Sequence, residues 1–205
     1  MMVFVCVGGV AIDCGCGDGD DDDDDNDDRA DDDEHDDDVD GDDEDDDDDE
    51  TSDDDISGEV WTDTVSGLMW TIDPAEETMN WAEADAYCNG SVYGGVDDWR
   101  LPTISELRSL IRGCDVTAPG GACGVTDDCL NAGECWSEVC WECVEGTGPA
   151  DGIFWPSELR GPGGWYWSAS LVADYSGWAW AIPFWGGDID TYDMSLDVYV
   201  RCVRP

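Results

Sequence analysis

No lysine occurs anywhere in the 205 residues, all seven basic side chains are arginine, and the single histidine is His35. Each absence excludes a class of function. Phosphate backbones are gripped by Lys and Arg that neutralise charge, and a chain with 54 acidic residues and a net charge of −47 repels them at long range. Nucleic acid is therefore not expected as a partner. Without lysine there is no Schiff-base chemistry, and with His35 set in an acidic run of the sequence the rest of the chain has no imidazole for a Ser–His or Cys–His arrangement. The apolar stretch from Met1 to Ile12 is too short to span a bilayer and fits the hydrophobic part of a secretory signal.

Composition divides what is present into two parts. Residues 18 to 55 hold 29 Asp or Glu, one Arg and almost no apolar side chains, too little to offset the entropy of ordering, so 17–57 is expected to be a disordered, Asp-rich linker. Residues 56 to 205 hold all 12 tryptophans, with 24 acidic residues against six arginines and a net charge of −18. That length suffices for one domain with a single core. The first 16 residues form a leader, and it ends in two candidate lipid acceptors. Cys16, after Gly15, is the better and Cys14 the other, although no positive residue precedes the apolar stretch and Asp13 spoils the small-residue context of a lipobox. Lipid anchoring and plain secretion stand as alternatives, and both place the protein in a bacterial cell envelope or outside the cell.

Eight cysteines remain beyond the leader: Cys88, Cys114, Cys123, Cys129, Cys135, Cys140, Cys143 and Cys202. The even number and the exported context predict disulfides. Six of them fall within 113–152, a Gly-, Pro-, Asp- and Asn-rich stretch with no sustained period, so bridges are expected to hold a loop with little core of its own. The Cys140-x-x-Cys143 spacing also fits a zinc site or a redox pair. Zinc would need an all-cysteine site, and no thioredoxin-like strand and helix surround the motif, which favours structural disulfides.

Four ordered motifs organise the domain. Asp63-Thr64-Val65-Ser66-Gly67 reads as a turn between hairpin strands at 59–62 and 68–71. Asn80, with Glu83 three residues on, caps a helix that places Trp81, Ala84 and Cys88 on one face. Trp99-Arg100-Leu101-Pro102-Thr103 packs a short strand, a forced stop and a helix start into five residues. Thr103 and Glu106 form a second capping box, and Ile104, Leu107, Leu110 and Ile111 keep helical spacing up to Gly113. Residues 165–170, 178–184 and 196–203 read as three antiparallel strands, the last alternating Leu196, Val198, Val200 and Cys202 before Arg204.

This ordered set resembles the Lcl C-terminal domain family, named for a collagen-like bacterial adhesin and related in fold to C-type-lectin-like modules. The resemblance covers 58–205 and implies an α+β fold: a C-type-lectin-like domain with two helices and a small antiparallel sheet, interrupted by the 113–152 insertion. It also implies a bridge from the first helix to the last strand, Cys88 to Cys202. The named adhesin is associated with sulfated polysaccharides, which want basic residues, so that ligand does not transfer to this acidic domain. The Arg-Leu-Pro-Thr string also occurs in the formylglycine-generating enzymes, whose reactive late cysteines have no counterpart here beyond Cys202.

Three candidate sites follow. Of the tryptophans, Trp70, Trp81, Trp99, Trp167 and Trp180 are expected in the core, while Trp136, Trp141, Trp165, Trp178 and Trp185 sit in or beside loops. Trp136, Trp141 and Trp185 are the candidate ligand-binding residues, a platform for a carbohydrate or a protein partner; the plainer alternative is that such residues only cover the disulfide loop. Asp188, Asp190 and Asp193, after Gly186-Gly187, could offer oxygen ligands to calcium, against the alternative of a polar hairpin with no cofactor at all. No catalytic residues are expected. The expected function is an exported, non-enzymatic recognition or adhesion module. A structural envelope protein whose acidic tail gathers divalent cations and a degenerate relative of the formylglycine-generating enzymes are the alternatives.

Overall fold

A computed structural model of the protein describes residues 59–205. The expected leader with Cys14 and Cys16 and the acidic linker lie outside the described residues. The hairpin forms as read: β1 (Val60–Thr62) pairs antiparallel with β2 (Met69–Thr71), Val60 opposite Thr71 and Thr62 opposite Met69. Its turn is built by Asp63, whose carboxylate accepts from the Val65 N–H at 3.1 Å and the Ser66 hydroxyl at 2.8 Å, while Gly67 takes the left-handed φ of 77°.

Both capping boxes close. Asn80 Oδ1 accepts from the N–H groups of Ala82 and Glu83, and Glu83 reaches back to the Asn80 N–H, starting α1 (Trp81–Gly90), which buries Ala84 and Cys88. Thr103 and Glu106 start α2 (Ile104–Arg108) in the same way. The Trp99–Leu101 strand reduces to one bridge, Arg100 N–H to Val203 O at 3.0 Å with the reciprocal bond at 2.9 Å, after which Pro102 ends pairing.

α2 is shorter than its spacing predicts. Past Arg108 the chain tightens to i→i−3 bonds, Leu110 to Leu107 and Ile111 to Arg108, because the Arg112 N–H is drawn away to the carbonyl of Phe154 at 3.0 Å. Leu110 and Ile111 still reach the core. Gly113, at φ 84°, then turns the chain into the insertion.

The second sheet is β3 (Trp165–Leu171), β4 (Trp178–Pro183) and β5 (Asp190–Asp193), all antiparallel. β5 stands where the 196–203 strand was expected. That segment is not an edge of one sheet but a seam between two. Val198 exchanges both backbone bonds with Met79, Tyr199 lies parallel to β3 between Trp165 and Trp167, and the Val200 and Cys202 carbonyls accept from Ala75 and Thr71. Only β6 (Val203–Arg204) is regular, and it pairs with β2. The predicted inward face holds at Val198, Val200 and Cys202, but Leu196 is 47 % exposed and Arg201 and Val203 are buried on the opposite side, as befits a strand covered on both faces.

Two apolar cores flank β3–β4–β5. Trp165, Trp167, Ala179, Ala181 and Tyr192 face α1 and Trp99. Tyr166, Trp180 and Ile182 face Ile104, Leu107, Phe154, Phe184 and the insertion. Period-2 side-chain direction sends each strand's alternate residues to opposite cores, which is why the strands read as almost unbroken apolar runs.

Candidate functional site

The insertion has little core of its own, as expected, but it is more than a loop. It contains a short helix, α3 (Ala132–Cys135), and a 3-10 turn at Glu138–Trp141, and its Cys114, Cys123, Val125, Cys135 and Cys140 are buried in the sheet's own core. Turn-rich composition hid this because the apolar partners come from the sheet rather than from the insertion's own periodicity. All eight described cysteines are bridged: Cys88–Cys202, Cys114–Cys143, Cys123–Cys140 and Cys129–Cys135. Cys140 and Cys143 bond to different partners, so the CxxC is a structural element, and the Cys88–Cys202 Cα atoms are 5.5 Å apart across 114 residues.

Arg108 adds a second fastening that nothing in the sequence announced. It is 2 % exposed, and its guanidinium donates to the carbonyls of Thr117 at 2.8 Å, Ala118 at 3.0 Å and Val125, all in the insertion. Arg201, 1 % exposed, donates likewise to the carbonyls of Thr71, Ile72 and Arg160 and lies 5.1 Å over the ring of Trp155. Burial pushes the pKa of both down, yet neither has a carboxylate partner. The other four described arginines pair with acids: Arg100 with Glu106, Arg112 with Asp63, Arg160 with Glu59 and Asp73, Arg204 with Asp98. Every positive side chain among the described residues is thus spent internally, and no basic surface is left.

Carboxylates complete the attachment. Asp127 accepts from the Thr103 hydroxyl at 2.8 Å and the Ser105 N–H at 3.2 Å, tying the insertion to the start of α2. Asp174, in the β3–β4 turn, accepts from the N–H groups of Ala132 and Gly133 at the start of α3, and these bonds hold its carboxyl below the usual range.

The turn between β4 and β5 docks on the insertion. The Thr117 hydroxyl donates to Gly187 O at 2.6 Å, the Ile189 N–H to Cys140 O, the Gly146 N–H to Trp185 O, and the Trp136 indole to Ile189 O at 3.0 Å. The candidate platform is only partly assembled. Trp136 and Trp141 meet edge to face at 5.3 Å, with Trp141 53 % exposed; Trp185, 37 % exposed, stands outside that pair on the docked turn. Of the tryptophans expected inside, Trp70, Trp99, Trp167 and Trp180 are buried and Trp81 is half-buried, while Trp155 joins them.

Asp188, Asp190 and Asp193 do not assemble into a calcium site, and no group of three possible metal ligands occurs among the described residues. Asp190 and Asp193 are three positions apart on β5, so the pleat sends them to opposite faces. Asp193 is instead turned onto the Ser195 N–H at 2.9 Å and hydroxyl at 2.8 Å, which lower its pKa. Asp188 is pushed up to about 6, first by burial and then by the charges of Asp190 and Glu145, and its Oδ1 has no hydrogen-bond donor.

Against known proteins, a family model described as the Lcl C-terminal domain matches residues 59–204. The chain belongs to the Lcl C-terminal domain family. No curated protein and no solved structure matches it. Lcl C-terminal domain membership and four disulfides fit an extracellular or envelope module of adhesion type, and no helix among the described residues is long and apolar enough to cross a membrane.

Proposed function

We propose that this Lcl C-terminal domain protein is an exported recognition or adhesion module of the bacterial envelope, C-type-lectin-like in fold and without enzymatic activity. It binds a carbohydrate or protein partner through the insertion and the turn docked on it. The observation that carries this reading is a rigid, disulfide-fastened surface that leaves Trp141 and Trp185 open to solvent. Large aromatic faces held in place lose little entropy on binding, which is where recognition energy concentrates. We assign the tether role to the acidic segment on its composition, with Cys16 or Cys14 as its anchor where the chain is lipidated. The absence of any unspent arginine among the described residues favours a neutral or basic partner over a sulfated polysaccharide.

The same bridges count against the formylglycine-generating alternative, since no described cysteine is left as a thiol. The test is binding of the full chain to an array carrying neutral glycans, sulfated glycans and extracellular proteins, with Trp141→Ala/Trp185→Ala beside it. Binding to a neutral glycan or a protein that the double variant loses is the expected result. Binding to sulfated glycans alone, or binding indifferent to both substitutions, overturns the reading.

A further inference from the structure

One concavity has neither Trp141 nor Trp185 in its lining. It measures about 260 Å³ and is lined by Ala132 of α3, by Val172, Tyr175 and Trp178 of the β3–β4 hairpin, and by Thr191 of β5. Tyr175 is 63 % exposed, and its ring stands 84° to that of Trp178 with centroids 5.9 Å apart, forming an aromatic corner. The volume falls below the roughly 300–1,000 Å³ of small-molecule sites and suits one side chain. Its walls are almost wholly apolar, with the Thr191 and Tyr175 hydroxyls as their polar side-chain oxygens, too few to satisfy the hydroxyls of a buried sugar ring.

The rim is anionic. Asp174 precedes Tyr175 in the chain and accepts from the N–H of cleft residue Ala132 at 2.7 Å. Asp193 lies directly opposite Trp178 in the β4–β5 register and therefore projects to the same face, as does Thr191 two residues before it. The hydrogen bonds that hold both carboxyls below the usual range keep both ionised, and the described arginines are all engaged elsewhere.

We propose that this cleft takes an arginine or lysine side chain of a partner protein, its alkyl stem against Val172 and Ala132 and its cation over Tyr175 and Trp178 between Asp174 and Asp193. An apolar slot suits the stem, aromatic faces attract the head, and the two carboxylates supply charge complementarity. This site rests on its own observations and stands whether or not the Trp141 surface binds anything.

The test is amide chemical-shift mapping on the isotope-labelled full chain titrated with acetyl-Gly-Gly-Arg-Gly-Gly-amide and its Lys analogue. Shifts should concentrate at Ala132, Val172, Tyr175, Trp178 and Thr191. The neutral citrulline analogue and N-acetylglucosamine should leave those amides unmoved. Tyr175→Ala should weaken peptide binding roughly three- to thirty-fold, Tyr175→Phe should retain it, and Asp193→Asn should weaken it while flattening its salt dependence. Equal binding of citrulline and arginine peptides overturns the proposal, as does sugar binding in the cleft, shifts located elsewhere, or no shifts at all. Binding of tetramethylammonium without the peptides overturns the assignment to a protein side chain. Tyr175 is exposed, so its variants leave the fold intact and their remaining resonances verify that.

Discussion

On one face of β3–β4–β5, Trp165, Trp167, Ala179 and Ala181 meet a ten-residue helix that was capped and legible; on the other, Tyr166, Trp180 and Ile182 meet the five-residue α2 and an insertion whose α-helix has only four residues. The first face is fastened by a single bridge, Cys88–Cys202, at the end of an element that already has its own backbone bonds. The second needs three disulfides, a buried guanidinium bonded to three carbonyls, and two carboxylates on helix starts. Irregular backbone cannot satisfy its own carbonyls, so side chains must do it. One sheet thus carries two covers, one held by regular structure and one by cross-links and buried polar groups.

Replacing Cys88 and Cys202 together by alanine should have the largest effect. Closing the longest loop is worth about 5 kcal/mol in the chain-entropy account, and denaturant unfolding should show a loss of that order with α1 protection falling first in hydrogen exchange. If the insertion loosens instead, the two covers are not separable. Arg108→Met comes next: three buried carbonyls lose their donor, at about 3–4 kcal/mol, with exchange rising at Thr117, Ala118 and Val125 while α1 stays protected. Arg108→Lys should recover only part, since an ammonium cannot span three acceptors arranged for a guanidinium. Removing Cys129 and Cys135 together opens only a short loop and should cost about 2 kcal/mol, confined to α3.

The smallest effect is a pH dependence of the insertion seam. Asp188 has a folded pKa raised to about 6, so between its unfolded value near 4 and that point the folded state binds the extra proton. Stability therefore falls as pH rises through that window, and the penalty is fully present above it. Asp188→Asn should remove this slope and stabilise the protein at pH 7 by about 1 kcal/mol, a figure reduced for the partial exposure of the group. Equal melting temperatures for both proteins from pH 4 to 7 would show that the seam is solvated and that the two covers respond alike to pH.

The helix starts and the hairpin were legible because their determinants are local. Asn80 with Glu83, Thr103 with Glu106, and the Asp63–Gly67 turn each act within a few residues, and all three form as read. The disulfide framework was legible as a number and a compartment, and the first-to-last bridge through the family resemblance. Of the three candidate binding tryptophans, Trp136 and Trp141 meet edge to face, while Trp185 belongs to the turn between β4 and β5. The calcium reading failed at Asp193, which spacing alone could not distinguish from a turn-capping residue. Trp178 stood among the loop tryptophans, but its pairing with Tyr175 gave no sign, because a cleft walled by a hairpin, a strand and an insertion has no signature in any one of them.

Sequence by itself determined the division into an acidic segment and a tryptophan-rich domain, the helix starts and the hairpin, because composition and short-range hydrogen bonding need no partner from afar. Tertiary structure alone decided that 196–203 is a seam rather than an edge, that Arg108 and Arg201 are buried fasteners, and which cysteines pair within the insertion. Those outcomes depend on which carbonyls and sulfurs the packed sheet brings within reach, a long-range arrangement that spacing along the chain does not encode.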